Sequence, residues 1–268
     1  MFATANSKVR GHGLCRGLLL TSLAFATFVG AANPGFASDS NLTDQDQIRA
    51  HAQQTLAAAQ KRHESEPTNG VPAWQVGRAC FELVALLQDP KEMEKIINEG
   101  IAICRQSVAL DARSAAAHYY LAITVGKLAD LKRNLAAYVM VKEVEREFHK
   151  ARELDERFCH AGPDRSLGLL YLEAPGWPIS VGSRSKARKH FERAAELAPE
   201  FPENRLNLAE AYLKWREKKL LQRELDALNK LWPAAKMNFA GTDWKMSWVD
   251  WSNRIEKLRK DAATFLTR

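Results

Sequence analysis

The residues that could do chemistry are scattered along this chain rather than patterned. Seven histidines stand at His12, His51, His63, His118, His149, His160 and His190, and the four cysteines are Cys15, Cys80, Cys104 and Cys159. A zinc site needs ligands at spacings such as HExxH or paired CxxC, and neither occurs. Cys159 and His160 are adjacent, which is not ligand spacing. GxSxG, GxxxxGK[ST] and GxGxxG are also missing, so the motifs of hydrolases, P-loop enzymes and dinucleotide binders are lacking. The expectation is therefore a chain with no catalytic residue, metal or cofactor, and not an enzyme. An enzyme built here would need convergent acid and base groups that no spacing predicts.

Two groups of residues suit binding instead. Arg184, Lys186, Arg188 and Lys189, with Arg193 beyond, crowd the start of one helix-like segment. Cations at a helix N-terminus oppose its dipole, at roughly a few tenths of a kcal/mol each. They suit an anionic ligand or acidic partner, or else form a solvated face. The second group is Tyr119, Ile123 and Lys127, then Arg165, then Leu206 and Glu210. These fall at positions that would face the groove of a helical repeat, where Tyr, Arg and Glu could hold a peptide tail or small anion. Arg165 could equally pair with a neighbouring carboxylate to fix the repeat stack.

The elements that position these groups are written as an internal repeat. Gly100, Cys104, Ser107 and Leu110 are spaced by four, three and three residues. So are Val144, Phe148, Ala151 and Leu154, then Ala187, Phe191, Ala194 and Leu197, then Leu221, Leu225, Leu228 and Leu231. Each set is one face of a helix. The last two sets lie 34 residues apart, and Pro199 and Pro233 follow them where the helix should stop. Ahead of each set, a large-small pair precedes an aromatic: Leu167-Gly168 with Tyr171, and Leu208-Ala209 with Tyr212. Leu121-Ala122 with Val125 is a weaker version, and Phe81 takes the aromatic place in the first unit. The small residue lets two helices approach and the aromatic fills the gap beside it.

The units differ in their connections. In the first two the extra residues read as more helix, one starting at Asp89-Pro90 and the other running along Leu131, Leu135, Tyr138, Met140 and Val144. In the third, Ala174-Pro175-Gly176-Trp177-Pro178 must be a rigid loop. Asp164 or Ser166 is placed to cap the helix entered at Gly162-Pro163-Asp164-Arg165. A helix from Thr43 to about Lys61 precedes the repeats, and Trp244, Trp248, Trp251, Ile255 and Leu258 mark a final helix packed on the last one.

The N-terminus reads as a cleaved export signal, the alternatives being a signal anchor or, since the segment is basic and acid-free, a mitochondrial presequence. Lys8, Arg10 and Arg16 precede an apolar run from Leu18 to Val29, with no acid before Asp39 and cleavage points after Ala31 or Ala37. The run is short and broken by Thr21, Ser22 and Thr27, too little for a membrane span. Cys15 precedes it and so cannot be a lipoprotein anchor. Removing three basic residues and no acid takes the formal charge from +7 to +4, a poor argument for nucleic-acid binding. Three cysteines then remain, and an odd number without CxxC is no disulfide framework. They form one bridge plus a free thiol, or stay buried as small hydrophobes.

The 34-residue period with A-x₃-F-x₂-A ahead of a proline resembles the tetratricopeptide (TPR) second helix. Within residues 74–231, Tyr119-Tyr120-Leu121-Ala122 with Gly126-Lys127, the 141–154 segment, and Gly162-Pro163-Asp164-Arg165-x-Leu167-Gly168 resemble two TPR-like families. One is the T-component of periplasmic TRAP transporter systems, and the other is the regulator of microtubule dynamics family. The Ala174–Pro178 loop is similar to the T-component pattern. That resemblance implies a trimeric, pore-containing partner of a periplasmic solute-binding protein, usually lipid-anchored, an anchor this sequence lacks. A microtubule role would need a cytosolic or mitochondrial-surface location, against the export signal.

The expected architecture is an all-α solenoid of about four TPR-like hairpins with terminal capping helices. It divides into a signal peptide (1–37), an N-terminal helix and linker (38–72), repeats (73–233) and a C-terminal helix (234–268). The expected role is a periplasmic or secreted protein-binding module, T-component-like or a general scaffold for envelope biogenesis.

Overall fold

The computed structural model describes residues 40–132 and 134–266; the signal-peptide segment and Cys15 lie outside them. It is helical from end to end apart from one isolated bridge between Gly176 and Gly182. Helix α1 (Ser40–Ser65) leads into four antiparallel hairpins. These are α2 (Gly70–Val84) with α3 (Pro90–Leu110), α4 (Ala115–Lys132) with α5 (Leu135–Leu154), α6 (Phe158–Glu173) with α7 (Arg184–Leu197), and α8 (Pro202–Lys214) with α9 (Lys218–Asn238). A 3₁₀ turn, Thr242–Trp244, precedes α10 (Lys245–Leu266). The first helices of successive hairpins touch: α2 meets α4, α4 meets α6, and α6 meets α8. They form one face of the stack, and the structure is the TPR-like solenoid that the repeat implied.

The helices start where local chemistry dictates. Asn69, Asp89, Asn134 and Ser183 accept hydrogen bonds from Val71, Lys91, Ala137 and Lys186 amides, satisfying donors the first turn would leave orphaned. Pro90 takes the first position of α3, where its missing N–H costs nothing. The first three members of each repeated set are buried: Val144, Phe148 and Ala151 are no more than 2% exposed, and Ala187, Phe191 and Ala194 are at 0%. The fourth varies, with Leu197 buried and Leu110 exposed. At Gly168 an added Cβ would lie 2.4 Å from the Phe191 ring, so the third hairpin closes only around glycine.

Two expectations need correction. Helix α9 does not stop at Pro233 but continues to Asn238. The five residues beyond the proline carry the chain to Ala235 and Phe239, both buried, and Phe239 packs against Phe201, Trp244 and Trp251. Burial of this aromatic cluster outweighs the roughly 3 kcal/mol that an interior proline costs a helix. Asp164 does not cap α6 either. It is fully buried, its carboxylate accepting from His190 Nδ1 at 2.7 Å and Arg152 Nε at 3.0 Å.

The entry to α6 is unusual. Cys159, His160 and Ala161 all have left-handed backbone, with φ of 54°, 55° and 60°, at a cost of about 1–2 kcal/mol each. Arg165 holds the turn: Nη1 donates to the Cys159 and His160 carbonyls at 3.3 and 3.0 Å, and Nη2 to Cys159 at 3.3 Å. Asn204 Nδ2 donates to the His160 carbonyl as well, at 3.0 Å, and the His160 ring stacks on Phe201. Hydrogen bonds from a charged donor contribute about 1.5–3 kcal/mol, enough to offset the strain.

Candidate functional site

The residues expected to face a groove are mostly core. Tyr119, Ile123, Arg165 and Leu206 are at 0% exposure. Tyr119 is enclosed by the rings of Tyr120, Phe148 and Phe158, and Arg165 is occupied by the turn it holds and by Asn204 Oδ1 at 3.0 Å. Of this set only Lys127 and Glu210 are half-exposed. Arg254 of α10 donates to both Glu210 oxygens, at 2.9 and 2.7 Å. The final helix thus packs on the last hairpin as expected, and it also covers the inner face. Trp251, Ile255 and Leu258 are buried, while Trp244 and Trp248 are half-buried beside them.

The cationic run is largely satisfied within the chain. Arg184 and Arg188 each donate to Glu217 at 2.6 Å and lie over the Trp215 ring, holding the Glu217 carboxyl below its usual range. Lys186 reaches Glu145 at 3.5 Å and the Tyr171 ring at 4.7 Å. Lys189 is exposed.

What remains of the inner face is a cavity of about 440 Å³. The end of α2, the start of α3, Lys127 of α4, Glu203 of α8 and the first turns of α10 line it. Its walls are mainly apolar, including Phe81, Val84, Leu87, Met93, Val249 and Trp251. Three carboxylates, Glu82, Glu203 and Asp250, and one ammonium, Lys127, interrupt them. Arg78 donates to Glu82 at 2.9 Å, and Arg254 to Asp250 at 3.3 Å. Burial pushes the Glu203 carboxyl above its usual range, against the opposing pull of Arg165 and Arg254. Burial raises Asp250 in the same way, partly countered by Arg254. Size and lining are those of a ligand or side-chain socket. Glu203 and Asp250 were not singled out from the sequence, because nothing there shows that α10 folds back over α8.

Away from the cavity, polar pairs that are buried or nearly so join the two helices of three hairpins at one equivalent place. His118, Asp164 and Arg205 each precede the large-small pair of a first helix by three residues. Glu147, His190 and Glu224 each precede the large residue of the paired second helix. His118 Nδ1 lies 2.6 Å from Glu147, His190 Nδ1 2.7 Å from Asp164, and Arg205 Nη1 2.8 Å from Glu224. These pairs sit between the two helices of a hairpin and none lines the cavity, so their geometry fixes helix register rather than presenting a base to a substrate. Among the described residues no group of three or more His, Cys, Asp or Glu could hold a metal ion. No described helix is long and apolar enough to cross a membrane.

A separate surface feature is the loop after α6. Trp177 is 89% exposed and Ile179 63%. Gly182 N donates to Pro175 O at 2.9 Å, Ile179 N to Gly176 O at 3.0 Å, and Ser183 N to Tyr171 O at 2.9 Å. A Cβ at Gly182 would stand 2.0 Å from the Ala174 carbonyl oxygen, so the loop's closure demands glycine there. The loop is a hydrogen-bonded support for an aromatic side chain left almost wholly in solvent.

Residues 37–160 match the family described as regulator of microtubule dynamics protein 1-3. The chain is 26% identical over 168 residues to regulator of microtubule dynamics protein 1 of Bos taurus, across 55% of this chain and 50% of that protein. It therefore spans about half the length of the curated relative it matches. Similar solved structures include the crystal structure of MamA, with a TM-score of 0.44 at 18% identity over 73% of this chain and 95% of that one. PilF of Pseudomonas aeruginosa gives a TM-score of 0.42 at 18% identity, over 83% of this chain and 90% of that one. Of the two family resemblances read from the sequence, the comparisons return the regulator of microtubule dynamics family.

Proposed function

We propose that this chain is an exported, non-catalytic protein-binding and assembly module that docks a partner through the Trp177 loop. The observation that carries the reading is Trp177 itself, 89% exposed on a hydrogen-bonded loop. A large aromatic held out in solvent does nothing for its own fold, whereas such side chains dominate binding energy when a partner buries them. The finer reading is a periplasmic module similar to a transporter T-component, paired with a solute-binding protein. The basic, acid-free leader and the proline-tryptophan loop support it. The match to regulators of microtubule dynamics supports a related helical scaffold over residues 37–160, while the leader favours export over a microtubule role.

The test is affinity capture from periplasm with the wild-type chain and with Trp177→Ala. A solute-binding protein retained by the first and lost by the second is the expected result; no stable partner with either sinks the reading. Light scattering adds a second test, in which a trimer supports the T-component form. A monomer favours the alternative, a general scaffold for envelope biogenesis that takes a peptide or protein tail on the inner face, where the cavity offers a socket.

A further inference from the structure

Four carboxylates are buried among the described residues: Glu147, Asp164, Glu203 and Glu224. Three are fully provided for. Glu147 receives His118 and Arg146, Asp164 receives His190 and Arg152, and Glu224 receives Arg205 and Arg223. Glu203 is the exception. At 5% exposure its one ion-pair contact is Arg165 Nε at 3.8 Å, too far for a hydrogen bond, and no described residue donates one to it. The Arg165 Nε atom is itself buried without an acceptor. Asn207, one turn along α8, has its Nδ2 buried and unpartnered too. A carboxylate held at 5% exposure without a protein donor is costly unless something else supplies the bond, and its oxygens, unlike Arg165 Nε and Asn207 Nδ2, are still reachable from outside.

That something has a place to sit, because Glu203 lines the 440 Å³ cavity. The other two carboxylates there already have arginine partners, so Glu203 alone is open to a donor. Around it stand Phe81, Val84, Leu87, Met93, Val249 and Trp251. We infer that this cavity is a binding site for a small organic cation, an ammonium or guanidinium group on an apolar body, whose head donates to Glu203. The apolar walls take the body, and a charge-assisted hydrogen bond in a half-enclosed site orients the head. This site lies on the inner face, apart from the Trp177 loop, and stands whether or not that loop binds a protein.

The test uses the full chain and three probes of similar shape: 2-phenylethylammonium, neutral 2-phenylethanol and anionic 3-phenylpropanoate. In calorimetric titration at pH 7.5 the ammonium binds at least about tenfold more tightly than either of the others, the gain expected of a charge-assisted contact. Glu203→Gln removes that preference, with circular dichroism confirming the helical fold. Val249→Trp, on the cavity wall and 52% exposed, leaves Glu203 in place and blocks binding by filling the space. The inference is overturned if the ammonium gives no heat at millimolar concentration or the neutral probe binds equally well. Undiminished binding to a folded Glu203→Gln chain overturns it as well.

Discussion

Arg254 donates to both carboxylate oxygens of Glu210, at 2.9 and 2.7 Å, and so fastens the last helix across the first helix of the fourth hairpin. A further Nη2 contact goes to the Asn207 side-chain oxygen. This clamp, with the Trp251 contacts, holds α10 against the inner face. Replacing Arg254 with Ala should cost about 1.5–3 kcal/mol, the range for hydrogen bonds to charged groups. Amide exchange should quicken in α10 well before it does in α4 or α6. An even rise across all helices would mean that α10 is integral to the stack rather than fastened onto it.

Arg165 should be the most sensitive single position in the third hairpin. Its removal releases three left-handed residues and strips the buried Glu203 of its one ion-pair contact. Breaking a buried pair in this way costs about 3–5 kcal/mol. Urea unfolding of Arg165→Met should show a loss of that size. Arg165→Lys should recover little, since one ammonium cannot reach the carbonyls of both Cys159 and His160 and the Asn204 side chain. Full rescue by lysine would show that charge alone holds the turn.

Glu203 also sets a pH dependence. Its folded carboxyl sits above the usual 4.5, burial being the main cause. The folded protein therefore holds a proton that the unfolded chain has released, and stability falls as pH rises through that window. The charged groups acting on it are Arg165 from α6, Glu210 from its own helix, and Asp250 and Arg254 from α10. Glu203→Gln removes that contribution, so the variant's melting temperature should gain on the wild type as pH rises above about 4.5. A difference that stays constant as pH rises would place the buried cost elsewhere.

Cys80 and Cys104 are free and buried. Burial pushes the Cys80 thiol up to about 12, with Glu99 adding to it, and raises Cys104 further. The thiolate is the reactive form, so iodoacetamide at pH 8 should leave both unlabelled in the folded chain and label both in urea. Peptide mapping reads each site separately. Labelling of either in native buffer would mean that α2 and α3 separate readily.

Much of the fold was legible because it depends on local pattern. The four-three-three spacing located α3, α5, α7 and α9, and Asp89-Pro90 marked the start of α3. The Ala174–Pro178 stretch announced a loop. The first unit was harder, since its tight approach uses Gly77, where an added Cβ would stand 2.0 Å from Cys104 Sγ. Gly77 lies four residues before Phe81, rather than the three that separate Gly168 from Tyr171. The inner face was not legible at all. Its character depends on where α10 lies, and the tryptophan stripe announces a buried helix without saying what it covers. Pro233 misled for a similar reason, because the aromatic cluster that carries α9 past it is assembled from four separate segments.

The bridging pairs inside the hairpins have a bearing on how this array could be edited. In a uniform repeat protein the units are interchangeable, and one can be deleted or duplicated with its neighbours closing up. Here the third hairpin differs from its neighbours: its carboxylate stands on the first helix and its histidine on the second, whereas Glu147 and Glu224 both stand on second helices. Setting α6 against α9 would bring Asp164 to Glu224, and setting α8 against α7 would bring Arg205 to His190. Setting α4 against α7 would put two histidines together. Such mismatched helix pairings are penalised from within, so the two helices of the third hairpin are held to each other by chemistry as well as by connectivity.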